Sequence, residues 1–120
     1  MSYRHFSLSE FDSPDLPGSG QNMRAEFLRV LDEAREISGI AYYINSGYRT
    51  EAENEECGGV ENSAHLTGWA ADIRATTSGQ RMAIVMGLIE AGINRIGIGQ
   101  NFVHADNCPT KAPTVLWLYS

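Results

Sequence analysis

Ser63-Ala-His65-Leu-Thr-Gly68-Trp-Ala70-Ala-Asp72 (SAHLTGWAAD) and Phe102-Val-His104-Ala-Asp106 (FVHAD) decide how this chain is read. The sequence has 3 histidines, and two of them fall in these segments, each followed by an aspartate. A catalytic zinc takes three protein ligands from His, Asp and Glu and keeps a fourth position for water, so His65, Asp72 and His104 form a sufficient set. Trp69 to Arg74 reads as a strand entered through the loop that carries His65. FVHAD reads as a second strand able to pair beside it, which would bring three ligands onto one ion. Between His65 and Asp72 lie Gly68, Ala70 and Ala71, small enough for the backbone to approach a metal and its substrate. The same residues also suit a tight turn followed by close strand packing.

Working outward, Met23, Phe27, Val30, Leu31, Ala34 and Ile37 recur at helical spacing from Asn22 onward, and Gly39 supplies a stop. Ile40 to Asn45 is β-branched and aromatic, a strand leading into the turn at Ser46-Gly47. Residues 50–63 are acidic and glycine-containing, which predicts a short helix and then a long loop. A second long helix starts with Ser78 as its cap, carries Met82, Val85, Met86 and Ile89 on one face, and ends at Gly92. NRIGIG, FVHAD and TVLWLY read as three late strands separated by turns. With those strands close in sequence, the expected fold class is α+β, an antiparallel sheet with flanking helices. The prolines and glycines of residues 12–21 (DSPDLPGSGQ) separate an N-terminal arm from the first helix, and nothing else resembles a linker. The 120 residues are therefore expected to form a single domain, 1–120.

Composition narrows the function. Fifteen acidic against nine basic side chains give a net charge of -6, and Lys111 is the one lysine, so nucleic acid is not an expected partner. No apolar run approaches the roughly 20 residues of a membrane span, and no apolar segment follows Arg4, so neither a span nor a signal peptide is expected. Cys57 and Cys108 are too few for a disulfide scaffold and lack C-x-x-C spacing; they read as free thiols, with a single bridge as the alternative. In SGYRT, Arg49 sits at a strand end, where its guanidinium could clamp a carboxylate in bidentate fashion.

FSLSEFDSP near the start, SGYRT with Asn54 and Gly58-Gly59 after it, S-x-H-x-x-G-x-A-x-D at Ser63 to Asp72, RIGIG, FVHAD and Trp117 run in an order and spacing that resembles the zinc D-alanyl-D-alanine peptidases of the M15 type. Those enzymes share their fold with the hedgehog signalling domain, and the likeness is to the small members of the family, phage endolysins among them. The resemblance implies a zinc metallopeptidase with His65, Asp72 and His104 as ligands, and with Arg49 and Ser63 contacting a peptidoglycan peptide. It implies hydrolysis of stem peptides or cross-links, as a D,D-carboxypeptidase or an endopeptidase, by a monomer that needs no organic cofactor. Several branches of the family carry a Glu or Asp three residues before the last histidine ligand as general base; here that position is Asn101, which cannot accept a proton. Asp106 shares a strand face with His104 and is the substitute expected to move the proton, its other possible role being to orient the ligand histidine. Without a leader or wall-binding module, the expected setting is a protein made in the cytoplasm and delivered to the wall by phage or host machinery. The rival expectation is a non-catalytic hedgehog-like zinc-binding module or a virion structural protein.

Overall fold

The computed structural model describes residues 2–119. The first helix, α1 (Ala25–Ser38), starts later than its apolar spacing predicts, because Ser19–Asn22 closes a 3₁₀ turn and Arg24 stays extended as the N-cap. The Arg24 N–H is thereby free to donate to the Gly68 carbonyl at 3.0 Å, which ties the start of the helix to the His65 loop. Phe27, Leu28, Leu31 and Ala34 are fully buried along α1, and Gly39 ends it in the left-handed conformation that glycine adopts without strain. A short strand, β1 (Ile44–Ser46), and a short helix, α2 (Glu51–Glu56), follow. The expected strand at Ile40 pairs only from Ile44, with a register irregularity before Ser46, while Tyr42 turns inward and its hydroxyl meets Ser38 Oγ at 2.6 Å.

Next come β2 (Ala70–Arg74), α3 (Ser78–Ala91), β3 (Arg95–Ile98), β4 (Phe102–Asp106) and β5 (Val115–Leu118). The cap of α3 is Thr77, not Ser78; the Thr77 hydroxyl accepts from the Gln80 N–H at 3.1 Å. Its core face also differs from the expected one. Ile84, Gly87 and Leu88 are buried, whereas Met82, Met86 and Ile89 are 62%, 50% and 57% exposed. Met82 to Ile89 is apolar almost without a break, so spacing alone selects no face. At Gly87 the helix crosses α1 so closely that an added Cβ would lie 2.5 Å from the Ala34 carbonyl oxygen and 2.0 Å from Ser38 Oγ.

The five strands form one sheet in the order β1-β2-β4-β3-β5. It is antiparallel except for its last pair, β3 and β5, which run parallel. The reason is the connection: residues 107–114 carry the chain back to the end where β3 begins, and the Val115 N–H donates to the Asn94 carbonyl there. Side chains alternate across the pleat. Ala71, Ile73, Val103, Ala105 and Ile96 join the helical core, and Asp72, His104, Asp106 and Trp117 face a cleft on the other side. Among the described residues no helix is long and apolar enough to cross a membrane.

Gly87→Ala therefore tests the packing of α1 on α3. Alanine is the better helix former by about 1 kcal/mol, yet overpacking here is expected to lower stability by roughly 1–3 kcal/mol in denaturant unfolding. A variant as stable as the parent would contradict the close approach.

Candidate metal centre

The centre is built on one cross-strand pair. β2 and β4 are registered so that Asp72 lies opposite His104, with Ala71 opposite Ala105 and Ile73 opposite Val103. His65 arrives from outside the sheet, in a 3₁₀ turn over Ala64–Thr67. Ser63 caps that turn, its hydroxyl accepting the His65 N–H at 3.2 Å. Gly68 ends it at φ 79°, where a side chain would run into the Asn22 carbonyl, 2.3 Å from an ideal Cβ. The three sequence-predicted ligands come together: one ligand atom from each of His65, Asp72 and His104 lies within 4.8 Å of the other two, and all three residues are buried.

Hydrogen bonds select which nitrogen each ring presents. His65 Nδ1 is 2.7 Å from the Gly47 carbonyl oxygen, which can only accept, so the proton sits on Nδ1 and the Nε2 lone pair is turned toward Asp72 Oδ1 at 3.4 Å. His104 Nε2 is 2.6 Å from Asp106 Oδ2, and its Nδ1 is 2.9 Å from Asp72 Oδ1. A neutral His104 that donates from Nε2 to Asp106 leaves Nδ1 for an ion. Asp106 is itself anchored: its Oδ1 accepts from Arg95 Nε at 2.8 Å and from the Cys108 N–H at 3.0 Å, and the residue is 1% exposed.

Burial alone would raise the pKa of Asp72, but its close contacts with the His104 and His65 rings, and the charge those rings can carry, hold it well below the usual carboxylate range. Asp106 is depressed against the same burial penalty by His104, the Cys108 N–H and Arg95. His104 is raised despite its burial, because it bonds to both carboxylates. An ionised carboxylate between two imidazole nitrogens is a borderline donor set that suits zinc, and the hydrogen-bonded backing of each ring is the outer support such ligands require.

Arg49, expected to hold a free fork toward substrate, has its guanidinium engaged on three sides instead. Nε donates to Ser46 Oγ at 2.9 Å, one terminal nitrogen to Asn54 Oδ1 at 3.1 Å and the other to Asp72 Oδ2 at 3.2 Å. The second oxygen of the ligand carboxylate is thus held by Arg49. Ser63 borders the cleft while its oxygen serves the His65 turn. Asn101 is exposed, lies just before β4 and is not among the cleft residues; its carbonyl accepts the Ala75 N–H. Cys57 is free and exposed, and Cys108 is free and buried.

The cleft holds about 450 Å³. One wall is the Gly58-Gly59-Val60 loop; the other is formed by Trp117 and Tyr119, with the Trp117 ring 5.4 Å from that of His104. Gly97 pairs with His104 across β3 and β4 and makes room for this wall, since a Cβ there would come within 2.7 Å of both aromatic rings. The sequence pointed to Gly47 only as part of a turn, and to no site role for Arg95 or Tyr119. Arg95 stood in the RIGIG motif, which marked the segment without revealing its bond to Asp106. Gly47 acts through a carbonyl that any residue would supply.

A search of curated proteins returned no match. The family described as Peptidase M15 matches residues 5–106, which takes in all three candidate ligands, Arg49 and Asp106. The chain belongs to the peptidase M15 family.

Proposed function

We propose that this chain is a zinc peptidase, one domain over residues 1–120, that hydrolyses peptide bonds in the stem peptides or cross-links of bacterial peptidoglycan as a D,D-carboxypeptidase or endopeptidase. The observation that carries the reading is the Asp72–His104 cross-strand pair with His65 beside it, inside a match to an M15 peptidase family. His65 Nε2, Asp72 Oδ1 and His104 Nδ1 would hold the zinc. When bound, zinc supplies a Lewis acid and a water acidified toward pKa 7. Arg49 holds the second oxygen of Asp72 and so keeps the carboxylate turned, and Asp106 keeps the His104 ring in the tautomer that offers Nδ1. Trp117 and Tyr119 give an extended peptide a wall to lie against, and Ser63 borders its path. The protein acts at the bacterial cell wall as a monomer, in phage lysis or in wall turnover.

A second reading, a non-catalytic zinc-binding module, is favoured by one observation. Asp72 and Asp106 are the carboxylates that border the cleft among the described residues, and each is already engaged by protein groups. Incubation with purified peptidoglycan and zinc separates the two. Release of stem-peptide fragments that stops on adding chelator is the expected result; tight zinc binding with no fragments would support the module.

His65→Ala and His104→Ala should each lose stoichiometric zinc after dialysis, as measured by metal analysis. Retention of one zinc per chain in both would remove the ligand assignment.

Asp106→Asn separates the two roles considered for that carboxylate. If it orients His104, zinc affinity falls roughly 10–100-fold, and this is the expected outcome given its three hydrogen bonds. A drop in rate of roughly 10²–10⁴ with zinc affinity unchanged would instead make it the general base.

A further inference from the structure

Among the described residues three cationic side chains border the cleft, Arg49, Arg95 and Lys111, and their states differ. Arg49 is committed to Ser46, Asn54 and Asp72. Arg95 is committed to Asp106 and to the Ala112 carbonyl, and its guanidinium stacks 5.2 Å from the centre of the Trp117 ring. Lys111, the one lysine of the chain, has no hydrogen bond or ion pair from its ammonium to any described residue, although it is half-buried. A lysine can lay its aliphatic stem along the cleft and keep its ammonium available to an incoming anion. In a chain of net charge -6 with acidic groups to spare, leaving it unpaired makes physical sense when a ligand supplies the anion.

The position of Lys111 is also fixed relative to the metal site. Asp106, which holds His104 with one oxygen, receives the Cys108 N–H with the other, and the Lys111 N–H in turn donates to the Cys108 carbonyl at 3.3 Å. The lysine therefore stands on a turn braced by the carboxylate that steadies a candidate metal ligand.

We propose that Lys111, and not Arg49, is the specificity-determining receptor for a carboxylate on the peptide substrate, so that the site selects peptides carrying a free carboxylate near the bond to be cut. This rests on the peptidase reading. An ammonium on a flexible stem suits a carboxylate whose position varies between peptides, whereas the fork of Arg49 is already fixed on Asp72. The carboxylate has two possible sources, the C-terminus of the peptide or an acidic side chain upstream of the bond.

The test uses four capped peptides, acetyl-Xaa-Lys(acetyl)-D-Ala-D-Ala with Xaa as Glu or Gln and the C-terminus as free acid or amide. They are offered to the zinc-loaded parent, Lys111→Met and Lys111→Arg, with zinc content and melting temperature checked for each. Turnover is read as kcat/KM, and binding by calorimetry wherever there is no turnover. The parent should lose roughly 10–100-fold when the relevant carboxylate is made an amide, the size of one charge-assisted hydrogen bond. Loss on amidating the C-terminus identifies that source, and loss on Glu to Gln identifies the side chain. Lys111→Met should abolish the discrimination and Lys111→Arg should keep most of it, with zinc content unchanged in both. A parent indifferent to both neutralisations, or a Lys111→Met protein that discriminates as the parent does, overturns the proposal. Carboxylate-selective binding that depends on Lys111 but is never followed by cleavage would sustain it while removing the peptidase reading. No binding and no turnover with any of the four would overturn the proposal, and the incubation with peptidoglycan then decides the peptidase reading separately.

Discussion

The antiparallel register that sets Asp72 against His104 is the constraint on which the rest depends. Strand side chains alternate with a period of two, so a slip of one residue between β2 and β4 would turn Asp72 or His104 into the layer occupied by Phe27, Leu31 and Leu88. An ionised carboxylate there would have no partner, at a cost of several kcal/mol. The apolar half of the same pattern, Ala71 and Ile73 against Ala105 and Val103, meets the two long helices and prevents the slip. Core packing and ligand placement are thus two faces of one register.

Around that pair, two arginine–carboxylate contacts do different work. Arg49 draws on Oδ2 of Asp72 and leaves Oδ1 toward the imidazoles, which favours a single oxygen as the metal donor. Arg95 secures Asp106, and Asp106 in turn accepts from His104 Nε2, which strengthens Nδ1 as an electron-pair donor. One arginine limits how a candidate ligand could bind and the other, one residue removed, would increase how well a candidate ligand binds. Both buried carboxylates are held ionised against their burial, Asp72 by the His104 and His65 rings and Asp106 by His104, the Cys108 N–H and Arg95.

The sequence revealed those features that repeat locally or use a scarce residue type. Two of the three histidines occur in short segments with an aspartate nearby, so the candidate ligand set could be named before any geometry, and the late strands were evident from β-branched and aromatic runs. What could not be read depends on contacts between distant segments. The face of α3 was hidden because Met82 to Ile89 is apolar all round, and only the crossing at Gly87 chooses a side. The parallel direction of β5 depends on where residues 107–114 carry the chain, and their composition says little about that path. Arg49 looked free in SGYRT because its three acceptors, Ser46, Asn54 and Asp72, are spread over a strand, a helix and a second strand.

The N-terminal segment shows the same limit from the other side. Its prolines and glycines suggested a spacer, yet it braces both loops that present the site. The Tyr48 N–H donates to the Phe11 carbonyl at 2.9 Å, the Thr50 N–H to Ser13 Oγ at 3.3 Å, and the Thr50 hydroxyl to Asp15 Oδ2 at 2.6 Å, so the residues on either side of Arg49 are pinned by residues 11–15. Asp12 holds the segment in shape by accepting the N–H groups of Gly18 and Gly20 at 2.9 and 2.7 Å. A few residues later Arg24 takes the Gly68 carbonyl and steadies the end of the His65 turn. The turn chemistry of residues 12–21 is therefore the means by which a short chain reaches two site loops at once.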